Sequence, residues 1–146
     1  MARGSKKYPI PKHLLKIGIS QDDFGNWLDN VTLSHVRRDR KRFKVKISGE
    51  VYRKAIHKAV LDDSDKDYYT SEPLNWHLIR YFSKDYTTIP IEKHKYFPTI
   101  DHENLSATEP IFHICSLRTN ICKSNYTITE VTGFCRAFIN GLNRAK

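Results

Sequence analysis

The sequence predicts an α+β fold in which a β-hairpin and a short helix form the central module, with longer amphipathic helices packed on its N-terminal and C-terminal sides. Three observations predict it. Residues 96–101 and 111–115 are short runs of β-formers separated by turn residues. Apolar residues recur at helical spacing on both flanks of that pair. No internal repeat points to a solenoid or propeller. The chain has 146 residues, enough for one compact domain. Within it, residues 1–61 read as a basic helical extension and residues 62–146 as the hairpin-bearing module.

Residues 1–11 are basic and proline-containing, which predicts a mobile arm. Ser20 followed by Asp23 forms an N-cap pattern, and Phe24, Trp27, Leu28 and Val31 repeat at helical spacing behind it. This helix runs into a dense basic stretch in which Arg37, Arg38, Arg40, Lys41, Arg42, Lys44 and Lys46 stand against one acid, Asp39. Ser48 then caps a second helix whose stripe is Val51, Ala55 and Ala59, joined by Tyr52, Ile56 and Val60. The acidic run 62–67 lacks the glycine and glutamate of a calcium loop and reads as a solvated turn. Residues 68–76 read as a short knuckle, followed by a short helix containing Trp76, Leu78 and Ile79. Residues 83–95 are polar and read as loop.

After the hairpin, residues 119–124 form a short helical segment, and Thr127 with Glu130 makes a capping box for a final helix. Its stripe of Ile128, Val131, Phe134, Cys135, Phe138, Ile139 and Leu142 is expected to close the core.

Lys and Arg number 25 against 16 Asp and Glu, a formal charge of +9, which calls for a polyanionic partner. The charge comes with eight Tyr, seven Phe and two Trp. Aromatic faces stack on bases, so nucleic acid is the expected partner, DNA ahead of RNA. No run is long and apolar enough for a membrane span or a secretory signal, so no membrane partner and a cytoplasmic location are expected. The three cysteines fit reduced thiols rather than a disulfide framework. A homodimer is compatible with reading a palindrome, although no residue pattern marks an interface.

The residues that carry chemistry lie in the C-terminal half. Hydrolysing a phosphodiester takes a divalent ion to neutralise developing charge, a base to activate water and cations to hold the backbone. Asp101 offers a hard oxygen ligand. His102 has the unperturbed pKa of a base that works near neutral pH. The order strand, Asp101-His102, loop, strand, then Arg118-Thr-Asn120-Ile-Cys-Lys123 resembles the HNH (ββα-metal) nucleases, zinc-free branch, in which a hairpin and a helix grip one metal ion. The segment Tyr69-Thr-Ser-Glu72-Pro-Leu-Asn-Trp76 is also similar to one found in small bacterial proteins of that kind. The resemblance spans roughly residues 50–140. It implies Asp101 and Asn120 as ligands of one Mg²⁺ or Mn²⁺, His102 as general base, and Arg118 and Lys123 as phosphate contacts beside the basic stretch.

There are departures from that pattern. The chain has no Cys-x-x-Cys pair, so no structural zinc is expected and packing around Trp76 and Phe112 has to replace it. The middle Asn that orients the family's histidine has no clear counterpart, Asn104 and Glu109 being the two options. His113, Cys115, Cys122 and Cys135 are zinc-ligand types, but their spacing fits core packing better. Two further readings stand beside the nuclease: a non-catalytic nucleic-acid-binding module with the same fold, and a subunit that docks on another protein through its basic helix. Asp101 as a turn cap and Asn120 as a helix cap are the ordinary structural alternatives.

Overall fold

The computed structural model describes residues 7–44, 46, 48–62, 65–81, 92, 95–104, 109–124 and 126–144. Residues 1–6, most of the expected loop at 83–95, the hairpin tip 105–108 and the side chain of Asn104 lie outside the described residues. The fold is α+β. Its order is α1 (Lys12–Lys16), α2 (Gln21–Phe43), α3 (Gly49–Asp62), a 3₁₀ helix (Trp76–Tyr81), β1 (Pro98–Asn104), β2 (Ile111–Ser116), α4 (Leu117–Lys123) and α5 (Ile128–Arg144).

α2 and α3 begin where side chains satisfy their free amides. Ser20 Oγ accepts from Asp23 N at 3.0 Å while Asp23 Oδ2 accepts from Ser20 N, a complete capping box. The turn before it needs a left-handed residue, supplied by Gly18 at φ +78°. Ser48 accepts from Val51 N at 3.2 Å at the start of α3. The basic stretch is not a linker: α2 carries it as continuous helix to Phe43 and ends on Lys44 in the left-handed conformation, φ 53°.

β1 and β2 pair antiparallel, with Ile100 opposite Ile114, Asp101 opposite His113 and His102 opposite Phe112. The register shifts between His102 and Asn104. A two-stranded hairpin is at best marginal alone, so it depends on its cover. Ile100, Phe112 and Ile114 belong to one apolar cluster with Phe24, Trp27, Leu28, Val31 and Val36 of α2 and Tyr52, Ile56 and Val60 of α3. Residues before position 62 therefore share the hairpin's core. Trp27 ties the layers together: it stacks edge-on against Trp76 at 5.1 Å, and its Nε1–H donates to the Pro98 carbonyl at 3.0 Å.

Three expectations are corrected. The arm docks from residue 7 onward: Tyr8 and Ile10 are buried, Tyr8 donates to Glu50 at 2.7 Å and His57 meets the Pro9 carbonyl at 2.8 Å. The Tyr8 hydroxyl and the Pro9 carbonyl thus find polar partners on α3 while the Tyr8 ring is buried. Asp67 is not solvated. It is buried, and its carboxylate accepts from Ser116 N at 2.7 Å, Tyr69 N at 2.9 Å and Thr70 N at 3.1 Å, an Asx turn that clamps the knuckle to the end of β2.

The third correction concerns the C-terminal helix. Thr127 and Glu130 cap α5 as the sequence indicates, through Thr127 N to Glu130 Oε2 at 2.7 Å and Glu130 N to Thr127 Oγ1 at 3.2 Å. The helix does not close the core, however. None of its residues is buried, Phe134 is 69% and Phe138 58% exposed, and Cys135 is exposed too. The hairpin already has α2 and α3 on one face and the knuckle with α4 on the other, so its cover does not need α5. No helix among the described residues is long and apolar enough to cross a membrane.

Two substitutions separate these roles. Trp27→Ala is expected to cost about 3–5 kcal/mol in urea unfolding, because it empties a fully buried site, while Phe138→Ser is expected to shift stability by less than about 0.5 kcal/mol. A large loss of stability from Phe138→Ser would show that α5 packs on this fold.

Candidate functional site

Strand alternation splits the hairpin's polar residues between two faces. Asp101, with His113 opposite it, faces away from the main core toward the knuckle and α4. His102, with Phe112 opposite it, faces α2. Adjacent residues of β1 thus serve two different clusters.

On the Asp101 face, α4 follows β2 without a linker because Ser116 caps it, accepting from Thr119 N at 3.1 Å. The helix turns Lys123 inward, and its Nζ lies 2.8 Å from Asp101 Oδ2. The Tyr69 hydroxyl donates to the same oxygen at 2.6 Å. Burial and the Asp101 hydrogen bond push the Tyr69 pKa well above its usual value. Asp101 is 3% exposed, so one carboxylate, one ammonium and one phenol share a nearly dry space. Asn120 lies three residues before Lys123 on α4 and is half-buried. Arg118 pairs with Glu72 and lies over the Tyr96 ring at 5.3 Å. Tyr69 and Glu72, both from the 69–76 segment, thereby grip the hairpin and α4.

Beside this cluster, His113 stacks flat on Tyr68 at 3.6 Å and meets Glu103 Oε2 at 2.5 Å. Cys115 is buried, and burial pushes its thiol pKa well up, so it is inert. Cys122 is exposed.

On the other face, α2 presents His35 and Asp39 one turn apart, both buried. Together with His102 they bring ligand-type atoms within 4.8 Å of one another. Arg38 threads between them: its Nη2 is 2.6 Å from His35 Nδ1 and 3.3 Å from His102 Nδ1, and its Nε is 3.1 Å from Asp39 Oδ1. Tyr52 donates to the other Asp39 oxygen at 2.8 Å, and Phe43 meets the His102 ring edge-on at 6.0 Å. Burial, reinforced by the Arg38 charge and then by His102, pushes the His35 pKa down to about 3. Burial also holds His102 below its ordinary value, with Asp39 acting the other way and Arg38 adding to the fall.

The expected phosphate contacts divide by helix phase. Arg37, Arg40, Lys41, Arg42, Lys44 and Lys46 are exposed, whereas Arg38 is held in the cluster just described. The structure brings Asp101 together with Lys123, and His102 together with Arg38. His35, Asp39, Tyr52 and Tyr69 were not anticipated as site residues. The one available signal was the His35 to Asp39 spacing of four, which places both on one helical face.

No protein-family model, no curated protein and no solved structure matches this chain.

A neutral buried His35 makes stability pH-dependent. Its folded pKa lies below the unfolded value of about 6.5, so the unfolded chain binds more protons between the two, and stability falls as pH drops from 6.5 toward 3. In urea unfolding between about pH 6.5 and 5, above the carboxylate range, the fall is expected to approach at most about 1.4 kcal/mol per pH unit. His35→Asn should flatten that slope, and an unchanged slope in the variant would assign the acid sensitivity to other groups.

Proposed function

We propose that this chain is a metal-dependent endonuclease with an HNH-like ββα arrangement, acting on DNA in the cytoplasm. The observation that carries this reading is the direct succession of β1, β2 and α4. It turns Asp101 toward a helix bearing Asn120 and Lys123, with His102 next along the strand.

The Asp101 position suits a cation, because its buried carboxylate already holds the Lys123 ammonium. Asp101 and Asn120 would supply oxygen ligands of the kind Mg²⁺ and Mn²⁺ prefer. A divalent ion held there supplies charge neutralisation for the phosphoryl group. Lys123, released from Asp101, is then free to meet a phosphate oxygen, and Tyr69 keeps the carboxylate oriented through its hydroxyl. His102 serves as the base once its imidazole leaves Arg38 and turns around the strand end, where the register shift between His102 and Asn104 loosens the pairing. It takes a proton from water as the water oxygen bonds to phosphorus. The bond from phosphorus to the leaving sugar oxygen breaks, and that oxygen takes a proton from solvent. The exposed cations of α2 hold neighbouring phosphates.

Supercoiled plasmid incubated with protein in Mg²⁺, Mn²⁺ or EDTA tests the reading on a gel. Metal-dependent nicking is expected, and His102→Ala and Asp101→Ala should each slow it by about 10²-fold or more. Cleavage by His102→Ala at the wild-type rate would remove His102 from the reaction.

One observation favours a second reading, a nucleic-acid-binding module without catalysis: Asp101 Oδ2 is engaged by both Lys123 and Tyr69 while His102 faces α2. It predicts intact plasmid and salt-sensitive binding that Asp101→Ala leaves unchanged. Under either reading, Arg37→Ala with Lys41→Ala should lower the slope of log K against log salt by about 0.9 for each phosphate that the variant no longer neutralises. An unchanged slope would take the exposed face of α2 out of the interface.

A further inference from the structure

The surroundings of Arg38 describe a cation held by three ligand-type atoms. A guanidinium only donates hydrogen bonds, so the His35 and His102 Nδ1 atoms facing it must present lone pairs. The third partner is Asp39 Oδ1, at 3.1 Å from Nε. Tyr52 fixes the opposite Asp39 oxygen at 2.8 Å, which orients the carboxylate as partners of ligating carboxylates do in metal sites. Two imidazoles and one carboxylate form a donor set that suits zinc and other borderline first-row ions rather than Mg²⁺. The three ligand atoms lie within 4.8 Å of one another, whereas a tetrahedral zinc needs separations of roughly 3.4 Å, so modest rotamer shifts close the triangle. Arg38 has a route out, its side chain being 31% exposed against 1% for Asp39.

We propose that His35, Asp39 and His102 form a transition-metal site, selective for Zn²⁺ over Mg²⁺, that fills when Arg38 swings toward solvent and that holds His102 on the α2 side, away from the Asp101 face. The second half, zinc as an inhibitor, rests on the nuclease reading. The first half does not. No covalent step is involved: the ion replaces a guanidinium, and a solvent molecule completes its coordination.

Chelator-treated full-length protein titrated with Co²⁺, a spectroscopic stand-in for Zn²⁺, tests the site directly. One equivalent is expected to give the visible absorption of a four-coordinate ion, displaced by Zn²⁺ and untouched by a hundredfold excess of Mg²⁺. His102→Ala should weaken binding by about tenfold or more, Arg38→Ala should tighten it by about tenfold, and Asp101→Asn should leave it unchanged. Arg38→Ala guards against a misfolding artefact, since unfolding weakens a site and does not tighten it. Equal Co²⁺ binding by wild type and His102→Ala, or unchanged or weaker binding by Arg38→Ala, overturns the site. Plasmid nicking in Mg²⁺ with one equivalent of Zn²⁺ then reads the second half: suppression in wild type supports it, and full cleavage with the site demonstrably loaded overturns it. Absence of nicking under all conditions removes the nuclease reading, and the inhibitor half with it, while the binding data stand.

Discussion

A two-stranded hairpin has no stability of its own, and this constraint organises the molecule. Each face of β1 and β2 needs a cover. α2 and α3 bury Ile100, Phe112 and Ile114 on one side, and the 65–76 knuckle with α4 covers Asp101, His113 and Cys115 on the other. Apolar area drives the first layer. The second is held by polar interactions in a dry space, where each missing partner costs a desolvation penalty. Asp67 shows how: three backbone amides from two segments converge on one buried carboxylate. Burial alone would raise its pKa. Hydrogen bonds from Thr119, Ser116 and Tyr69 outweigh that and hold it below the ordinary value.

Since both faces are in use, the alternation of β1 decides the chemistry. Asp101 and His102 are neighbours in sequence, yet their side chains meet different elements. On the proposed reading, a water activated at one of them would be out of reach of the other until His102 turned. The break in register just beyond His102 is therefore the feature on which the proposed nuclease would depend, since a strand end with incomplete pairing can re-aim a side chain that a continuous ladder would fix.

Much of the scaffold was legible because it depends on local chemistry. Ser20 with Asp23, Ser48 and Thr127 with Glu130 mark helix starts through hydrogen bonds three residues apart, and the β-formers around Ile100 and Ile114 mark the strands. What depends on distant surfaces was not legible. The stripe of Phe134, Phe138 and Leu142 has the period of a core helix, but period says nothing about whether a partner surface remains. Asp67 read as solvated because its three donors come from residues 69, 70 and 116. His35 and Asp39 lay hidden inside a run of arginines and lysines whose charge points to phosphate.

That run divides between two faces because of helical phase. At 3.6 residues per turn, His35 and Asp39 share the inward face of α2, while Arg37 and Lys41 fall on the opposite side. Arg38 stands between the two faces, half-buried, with its guanidinium among the imidazoles. A polyanion lying along the outward ridge would attract that guanidinium outward and leave His35, Asp39 and His102 without their cation. Two neutral imidazoles beside an uncompensated buried carboxylate are costly in a dry interior. That cost is relieved by a metal ion or by a proton. Nucleic acid bound along α2, on the proposed reading, would thus change what His102 faces through one side chain, with no movement of the helices required.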